Sequence, residues 1–277
     1  MNILRIAAFS DGDVGGNPAG VVLCDALPAS TEMQRIAAEV GFSETAFASR
    51  DGDGFRVRYF SPEAEVPFCG HATIALGAAL VQKHGDGRFA LRLARTDISV
   101  EGRRDGDLIT ATLQSPPTHS APVEAAVVKE ALDLFGYSER DLDPRIPPAR
   151  IHAGADHLVL MLRSRAALGA MHYDLAQGRA LMTREGWVTI LLGHVETASR
   201  FHTRNAFAYG GVLEDPATGA ATAALAGYLR DLDWPSGGRI EVVQGEDMGS
   251  RSLLLGEFSD LRGSSVRVSG TARTMAL

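Results

Sequence analysis

Two stretches of the chain match each other, and in each a loop runs directly into an apolar helix. Residues 70–80 read GHATIALGAAL and residues 219–229 read GAATAALAGYL, so that Gly, Ala, Thr, Ala, Leu and Leu recur at the same offsets. Pro and Gly mark the loops, and the Ala/Leu spacing predicts the helices. The match predicts two related halves, each with one loop-to-helix junction. Because it is short and rich in Ala, two unrelated core helices remain an alternative.

The start of each predicted helix is a candidate site for binding an anion. The first backbone N–H groups of a helix have no partner within it, and they lie at the positive end of the helix dipole. We therefore assign substrate binding to the residues at these two starts, namely Cys69, Gly70, Thr218, Gly219 and Ala220.

Composition restricts the class of protein. The 277 residues carry a net charge of −7 without a basic cluster, which argues against nucleic acid as a partner. Two cysteines give no disulfide framework, and the sequence has neither a signal peptide nor an apolar run of transmembrane length. We expect a reduced, soluble, cytoplasmic protein with no membrane partner.

The order of the predicted elements favours an α+β protein, with many strands and one central helix in each half. Pro and Ser between residues 116 and 122 predict a linker, so the halves are expected at 1–115 and 123–264. Thr31 and Gln34 fit a capping box, with Gly41 closing that helix. The Gly-rich loop that contains Asn17 is either a long hairpin connection or a loop that faces a ligand.

Two carboxylates are candidates for catalysis. Glu44 falls in a predicted strand, 42–48, on the face it shares with Phe42 and Ala46, where partial removal from water suits a proton carrier. A solvated Glu at a strand edge is the alternative. Asp215, followed by Pro, fits a helix N-cap, which needs no function, but either Asp215 or Glu214 before it can also face a ligand.

His71 and Cys69 precede the first helix closely enough to be affected by its dipole. The dipole disfavours a charged imidazole, so we expect a neutral His71 that donates a hydrogen bond or carries a proton. The same dipole favours a thiolate at Cys69. A mechanism with two thiols needs a second Cys near Asp215, and since that loop has none, we interpret Cys69 as a bystander.

No spacing in the sequence indicates a metal or a nucleotide cofactor. The eight His residues form neither a His-Glu-x-x-His motif nor a Cys/His cluster. Neither Gly-x-Gly-x-x-Gly nor Gly-x-Ser-x-Gly occurs in a fitting context. We predict no metal and no cofactor.

Five short strings, taken together and in order, carry a resemblance to a known family. They are GNPAG at 16–20, SETAF at 43–47, PFCGHAT at 67–73, EDPATG at 214–219 and QGEDMG at 244–249. In this order the chain resembles the phenazine-biosynthesis PhzF-like isomerases over almost its whole length.

The resemblance implies a diaminopimelate-epimerase-like fold of two pseudo-symmetric halves, each a curled, mostly antiparallel sheet or barrel around a central helix. It also implies that the C-terminal strand, 265–277, returns to the first half, that the protein is a homodimer, and that no cofactor is needed. The family's acid/base glutamate matches Glu44, and its histidine and aspartate match His71 and Asp215.

The expected function is a cofactor-independent isomerase that shifts a proton on a small carboxylate, with Glu44, His71 and Asp215 as catalytic residues and Asn17 among the binding residues. An epimerase or racemase that works through Glu44 with Cys69 or His71 is an alternative. Ala220 stands where the family commonly has Ser, which implies a changed substrate or permits a non-catalytic binding or scaffold protein.

Overall fold

A computed structural model describes residues 2–94, 96–106 and 108–276 of the chain. Met1, Arg95, Asp107 and Leu277, which the sequence assigns to the N-terminal half, lie outside the described residues. The chain divides into two compact units. Unit 1 comprises Met1–Gln114 and Ser269–Leu277, and unit 2 comprises Ser115–Val268.

Unit 1 is built of strands and two helices. Its strands are β1 (Leu4–Ser10), β2 (Asn17–Cys24), β3 (Thr45–Asp51), β4 (Gly54–Phe60), β5 (Glu65–Val66), β6 (Gly87–Arg92), β7 (Asp97–Asp105) and β8 (Leu108–Pro117). Its helices are α1 (Ser30–Val40) and α2 (Gly70–His84).

Unit 2 has a similar composition. Its strands are β9 (His119–Pro122), β10 (Ala149–His152), β11 (Asp156–Leu162), β12 (Thr189–Thr197), β13 (Arg200–Ala206), β14 (Glu214–Asp215), β15 (Arg239–Gln244) and β16 (Ser252–Glu257). Its helices are α3 (Ala125–Phe135), α4 (Arg165–Gly169), α5 (Leu175–Glu185) and α6 (Gly219–Asp231). The last strand of the chain, β17 (Ser265–Thr274), pairs with β1 in unit 1. The residues for which the sequence predicts a linker, 116–122, belong to β8 and β9 apart from Thr118.

The two units repeat one order of strand pairings. In unit 1, β1–β2 is antiparallel, β2–β3 parallel, β3–β4 and β4–β5 antiparallel, β4–β6 parallel and β6–β7 antiparallel. In unit 2, the pairs β10–β11, β11–β12, β12–β13, β13–β14, β13–β15 and β15–β16 follow the same series of directions. The related halves predicted from the sequence match are therefore present, and the fold is α+β with mostly antiparallel sheets.

One apolar helix forms the centre of each unit. In α2 the side chains from His71 to Val81 are buried, and α2 contacts β1, β2, β3, β6 and β7. In α6 the residues from Ala221 to Arg230 are buried, and α6 contacts β9, β10, β11, β15 and β16. A helix that is apolar on all sides is stable only when it is surrounded. Small residues let α2 lie close to the strands around it, since a Cβ added at Gly77 would lie only 2.6 Å from the side chain of Val100 in β7.

The loop from 11 to 16 is a hairpin connection between β1 and β2, which agrees with the first of its two sequence interpretations. Gly16 has a φ of +85° and lies so close to β1 that an added Cβ would be 2.8 Å from the carbonyl oxygen of Ala8. Asn17 begins β2, is paired with Ala8 and is 2% exposed. Among the described residues, no helix is both long enough and apolar enough to cross a membrane.

The helix α1 corrects one detail of the sequence analysis. Gly41 does end it, in a left-handed conformation with a φ of 73°. Its N-cap is Ala29, however, without a side-chain cap, so the predicted capping box is wrong. The Nε2 of Gln34 instead donates a 2.8 Å hydrogen bond to the carbonyl oxygen of Ser61, because a tertiary acceptor competes with the local one.

A buried histidine in unit 2 gives the fold a dependence on pH. The side chain of His157 is fully buried, and its Nδ1 lies 2.8 Å from the hydroxyl of Thr189, which donates to Oδ1 of Asn205. The ring is therefore neutral, with its proton on Nδ1. Burial lowers the pKa of His157 to about 3.

We expect His157 to make the protein less stable as the pH falls below about 6.5, the unperturbed histidine pKa, since only the unfolded state then takes up the proton. The loss is about 1.4 kcal/mol per pH unit down to the folded-state pKa, or about 2 kcal/mol between pH 7.5 and 5.0. Urea unfolding of the wild type and of His157→Gln at both values of pH measures this loss. The difference between the two proteins isolates His157, since they share all other titrating groups. Parallel pH profiles would contradict the assignment.

Candidate active site

Glu44 is held at the end of the connection that leads into β3. The strand begins at Thr45, later than predicted, so the assignment of Glu44 to an apolar strand face by alternation is wrong. Its backbone carbonyl instead accepts a 3.1 Å hydrogen bond from the N–H of Gly20 in β2. The side chain is 16% exposed, so the carboxylate is largely removed from water but is still accessible.

His71 links three polar side chains in unit 1. Its Nε2 lies 3.3 Å from Oε2 of Glu44 and 3.3 Å from the hydroxyl of Ser43. Its Nδ1 lies 3.3 Å from the sulfur of Cys69. The His71 side chain is 8% exposed. The structure thus brings together Glu44, Cys69 and His71, which the sequence identified separately.

A neutral imidazole satisfies these contacts. Nε2–H donates to the carboxylate of Glu44, and Nδ1 accepts the thiol proton of Cys69. In this arrangement a hydrogen bond from His71 orients the Glu44 carboxylate.

The start of α2 has open space beside its first amide. Cys69 is the N-cap, in an extended conformation and without a side-chain capping bond. A Cβ added at Gly70 would meet no described atom within 4 Å. Behind the tip, the hydroxyl of Thr73 donates to the carbonyl oxygen of Cys69 over 2.7 Å and lies 2.7 Å from the hydroxyl of Tyr59. These buried hydrogen bonds fix the first turn of α2, while the side on which Gly70 lacks a Cβ stays open.

Asp215 is not the N-cap of α6, so that interpretation of the sequence is wrong. It belongs to β14, paired with Asn205, and α6 begins at Gly219 with Thr218 as the N-cap. Oδ2 of Asp215 accepts a 2.5 Å hydrogen bond from the hydroxyl of Thr218. Pairing with β13 stops the helix from extending back to Asp215.

Gln244 fixes the loop between Asp215 and Thr218, although the sequence analysis did not identify it as a site residue. Its side-chain oxygen accepts from the N–H of Thr218 over 3.1 Å, and its Nε2 donates to the carbonyl oxygen of Asp215 over 2.7 Å. The residue is fully buried. Its one signal in the sequence is its place at the head of the QGEDMG string.

Ser43 and Arg204 were also missed, whereas Glu214 was an alternative to Asp215 in the sequence. Ser43 lies within the SETAF string, next to Glu44, and contacts His71 as described. Arg204 binds Glu214 with Nη2 2.6 Å from Oε2 and Nε 3.0 Å from Oε1. Because Glu214 directly precedes Asp215, this ion pair anchors the strand that carries Asp215.

The equivalent tips of α2 and α6 differ in their chemistry. Both helices begin with Gly, and the positions of Cys69 and His71 in the first correspond to Thr218 and Ala220 in the second. Glu44, just before β3, corresponds to Val188, just before β12. The fold is repeated, but at these equivalent positions only unit 1 has a thiol, an imidazole and a carboxylate.

The cluster in unit 1 also contains possible metal ligands. One ligand atom each from Glu44, Cys69 and His71 lies within 4.8 Å of the others. The hydrogen bonds already described account for this closeness without an ion.

Comparison with known proteins identifies the family. The family model for PhzC-PhzF, phenazine biosynthesis-like protein, matches residues 6–276. A trans-2,3-dihydro-3-hydroxyanthranilate isomerase of Pseudomonas aeruginosa is 34% identical over 283 residues, covering 98% of this chain and 96% of that protein. An uncharacterized isomerase of the same organism is 32% identical over 273 residues, with 98% and 95% covered.

A solved structure shows the same fold. The chain superimposes on the phenazine biosynthesis protein of the PhzF family from Bacillus anthracis with a TM-score of 0.88, at 22% identity and with 99% of this chain and 96% of that chain covered. The family match over nearly the whole chain, together with relatives named as isomerases, leads to one conclusion. The chain belongs to the PhzC-PhzF family of phenazine biosynthesis-like proteins and is an isomerase.

Proposed function

We propose that the protein is a cofactor-independent isomerase that moves a proton between carbons of a small carboxylate, with Glu44 as the general acid and base. The observation that carries the proposal is the contact of the Glu44 carboxylate with Nε2 of His71 beside the start of α2. A proton carrier and a set of unpaired backbone N–H groups are the two parts such a reaction requires.

Glu44 has properties that suit proton transfer in both directions. Its carboxylate takes a proton from an activated carbon, which leaves an enolate on the substrate and a neutral carboxyl on Glu44. The same carboxyl then returns the proton to a second carbon. A positioned acid/base group of this kind contributes about 10²–10⁴-fold in rate. The limited exposure of the side chain, 16%, restricts loss of the proton to solvent between the two steps.

The first amides of α2 supply binding for negative charge. The N–H groups at Gly70 and His71 point away from the helix, at the positive end of its dipole. The open space at Gly70 admits a carboxylate or an enolate oxygen to these groups. Such fixed donors stabilise charge that develops in the transition state. From the family resemblance we also assign substrate binding to Asn17 and Cys69 in unit 1.

Asp215 and the start of α6 are the proposed binding elements of unit 2. Gly219 and Ala220 present the first amides of that helix. Thr218, whose own N–H donates to Gln244, orients the Asp215 carboxylate through its hydroxyl. We assign Asp215 to a polar substituent of the substrate, such as an amino or hydroxyl group.

The substrate class follows from the binding groups and from the relatives. The P. aeruginosa relative is named for trans-2,3-dihydro-3-hydroxyanthranilate, a carboxylate with adjacent polar groups, and this is the first compound to test. Ala220 provides no hydroxyl at the start of α6 where the family commonly has Ser. A substrate that lacks the matching polar group is therefore expected to be converted better.

An epimerase is the second candidate, because the Cys69–His71 contact places a second proton-carrying pair beside Glu44. Two acid/base groups at one site can remove a proton from one face of a carbon and return it to the other. Proton migration remains the preferred function. A racemase with two thiols needs a second Cys, and Thr218 occupies the position in unit 2 that corresponds to Cys69.

The experiment is turnover in deuterium oxide, followed by proton NMR. The purified protein is incubated with trans-2,3-dihydro-3-hydroxyanthranilate and with a panel of small amino and hydroxy carboxylates. We expect a product in which hydrogen has moved to a carbon different from the one deprotonated. Deuterium at the original carbon with inverted configuration would establish the epimerase instead. Binding of panel members with neither change would contradict both.

A further inference from the structure

Three potential metal ligands lie side by side on adjacent strands of unit 2. His152 at the end of β10 pairs with His119 of β9 on one side and with Asp156 of β11 on the other. Residues paired directly across antiparallel strands project from the same face, with Cβ atoms about 4.5–5.5 Å apart. The strand register thus creates a His-His-Asp row that sequence spacing does not indicate.

The side chains of this row already meet. Nδ1 of His152 lies 2.7 Å from Oδ1 of Asp156, and the His119 and His152 rings stack with their centroids 4.3 Å apart. One ligand atom from each of the three lies within 4.8 Å of the others. The His152 and Asp156 side chains are 27% and 31% exposed, and His119 is exposed, so an ion can enter from solvent.

We propose that His119, His152 and Asp156 form a binding site for a divalent transition metal of the zinc class, separate from the Glu44 cluster. Two imidazoles and a carboxylate are ligands that zinc accepts, and three protein ligands leave a coordination position for water. The metal takes the place of the hydrogen between Nδ1 of His152 and Oδ1 of Asp156. A neutral imidazole then carries its proton on Nε2, and a protonated one releases the Nδ1 proton. His119 completes the site when its ring rotates out of the stack.

One cation, Arg150, lies beside the row, and it is shared with a second carboxylate. Nη1 of Arg150 lies 3.3 Å from Oδ2 of Asp156, but Arg150 also interacts with Glu185 and donates to its backbone carbonyl over 2.9 Å. Aspartate is ordinarily ionised at neutral pH, as a ligand must be.

A metal at this position joins β9, the first strand of unit 2, to the hairpin of β10 and β11. That hairpin turns tightly, with Gly154 at a φ of +95°. Binding to the folded state alone would therefore stabilise unit 2 against unfolding, by an amount that rises with the logarithm of the metal concentration above the Kd.

The test is titration of the full-length, tag-free protein with Zn²⁺ by calorimetry, and with Co²⁺ by visible absorption, which reports on coordination. We expect one saturable site whose affinity falls more than about tenfold in each of His119→Ala, His152→Ala and Asp156→Asn. Zn²⁺ should raise the melting temperature of the wild type but not of His119→Ala. Because His119 is exposed, this variant should fold. Thermal unfolding measured in the absence of metal shows whether it does.

Two controls separate this site from other ligands. His172→Ala removes an exposed histidine whose Nδ1 contacts the carbonyl of Ala170, and it should leave the affinity unchanged. His71→Ala removes a member of the Glu44 cluster and should also leave it unchanged. The proposal is overturned if Zn²⁺ binding is not saturable, if it persists in both His119→Ala and His152→Ala, or if it is lost in His71→Ala.

Discussion

Replacing Glu44 by Gln is expected to lower kcat/KM by about 10²–10⁴-fold, because the amide keeps the shape of the side chain but cannot carry the proton. The contact with Nε2 of His71, 3.3 Å in the wild type, can be kept by the amide oxygen. We therefore expect unchanged folding and substrate binding, with the loss confined to turnover. Steady-state kinetics on the substrate identified by NMR, together with thermal unfolding, measure both.

The matched control for this experiment is Glu63→Gln. Glu63 is an exposed carboxylate in unit 1, and removing its charge should leave kcat/KM within about twofold of the wild type. If Glu44→Gln retains more than about a tenth of the wild-type turnover, Glu44 is not the base. In that case His71 would be the next group to replace.

Replacing Arg204 by Ala is expected to destabilise the protein by about 3–5 kcal/mol. The side chains of Arg204 and Glu214 are only 12% and 6% exposed, so the substitution leaves a buried carboxylate without its partner. It also removes hydrogen bonds from Nη1 to the carbonyls of Gly169 and Met171, at 3.1 and 3.2 Å. Urea unfolding gives the free energy, and an unchanged m-value would show that the denatured state is not altered.

A double substitution distinguishes the cost of an unpaired charge from the worth of the ion pair. Arg204→Met with Glu214→Leu fills the same space without charge, and it should recover most of the lost stability. Arg262→Ala, at an exposed pair with Asp233, should cost less than about 1 kcal/mol. A loss below that value in Arg204→Ala would show that Glu214 is rehydrated rather than left buried. Activity is expected to fall as well, since Glu214 anchors the strand of Asp215.

Local patterns predicted much of the fold. The Ala/Leu spacing after Gly70 predicted α2, and Gly41 marked the end of α1, since both follow from backbone preferences within a few residues. The match between 70–80 and 219–229 predicted two related halves, and the repeated order of strand pairings confirms them. The shared five strings predicted the family and the isomerase class, which the comparisons confirm.

What the sequence did not predict depends on contacts between distant residues. Gln34 fitted a capping box, but a carbonyl at Ser61 was the better acceptor. Asp215 followed by Pro fitted an N-cap, but strand pairing with Asn205 takes precedence. The roles of Ser43 and Gln244, and the row formed by His119 with its two neighbours, depend on tertiary contacts and strand register, which no local pattern determines.

The path of the chain through unit 1 has a consequence for biosynthesis. Strand β1 is paired on one side by β2 and on the other by β17, whose residues from Ser269 onward belong to unit 1. On a translating ribosome, residues 115–268 emerge as one uninterrupted stretch, whereas unit 1 lacks its last strand until that stretch has been made. Domains generally fold in the order in which they are synthesised. Here the later-made unit can be complete first, while the residues of β1 that pair with β17, from Ile6 to Ser10, stay available to foreign strands and to chaperones that shield them.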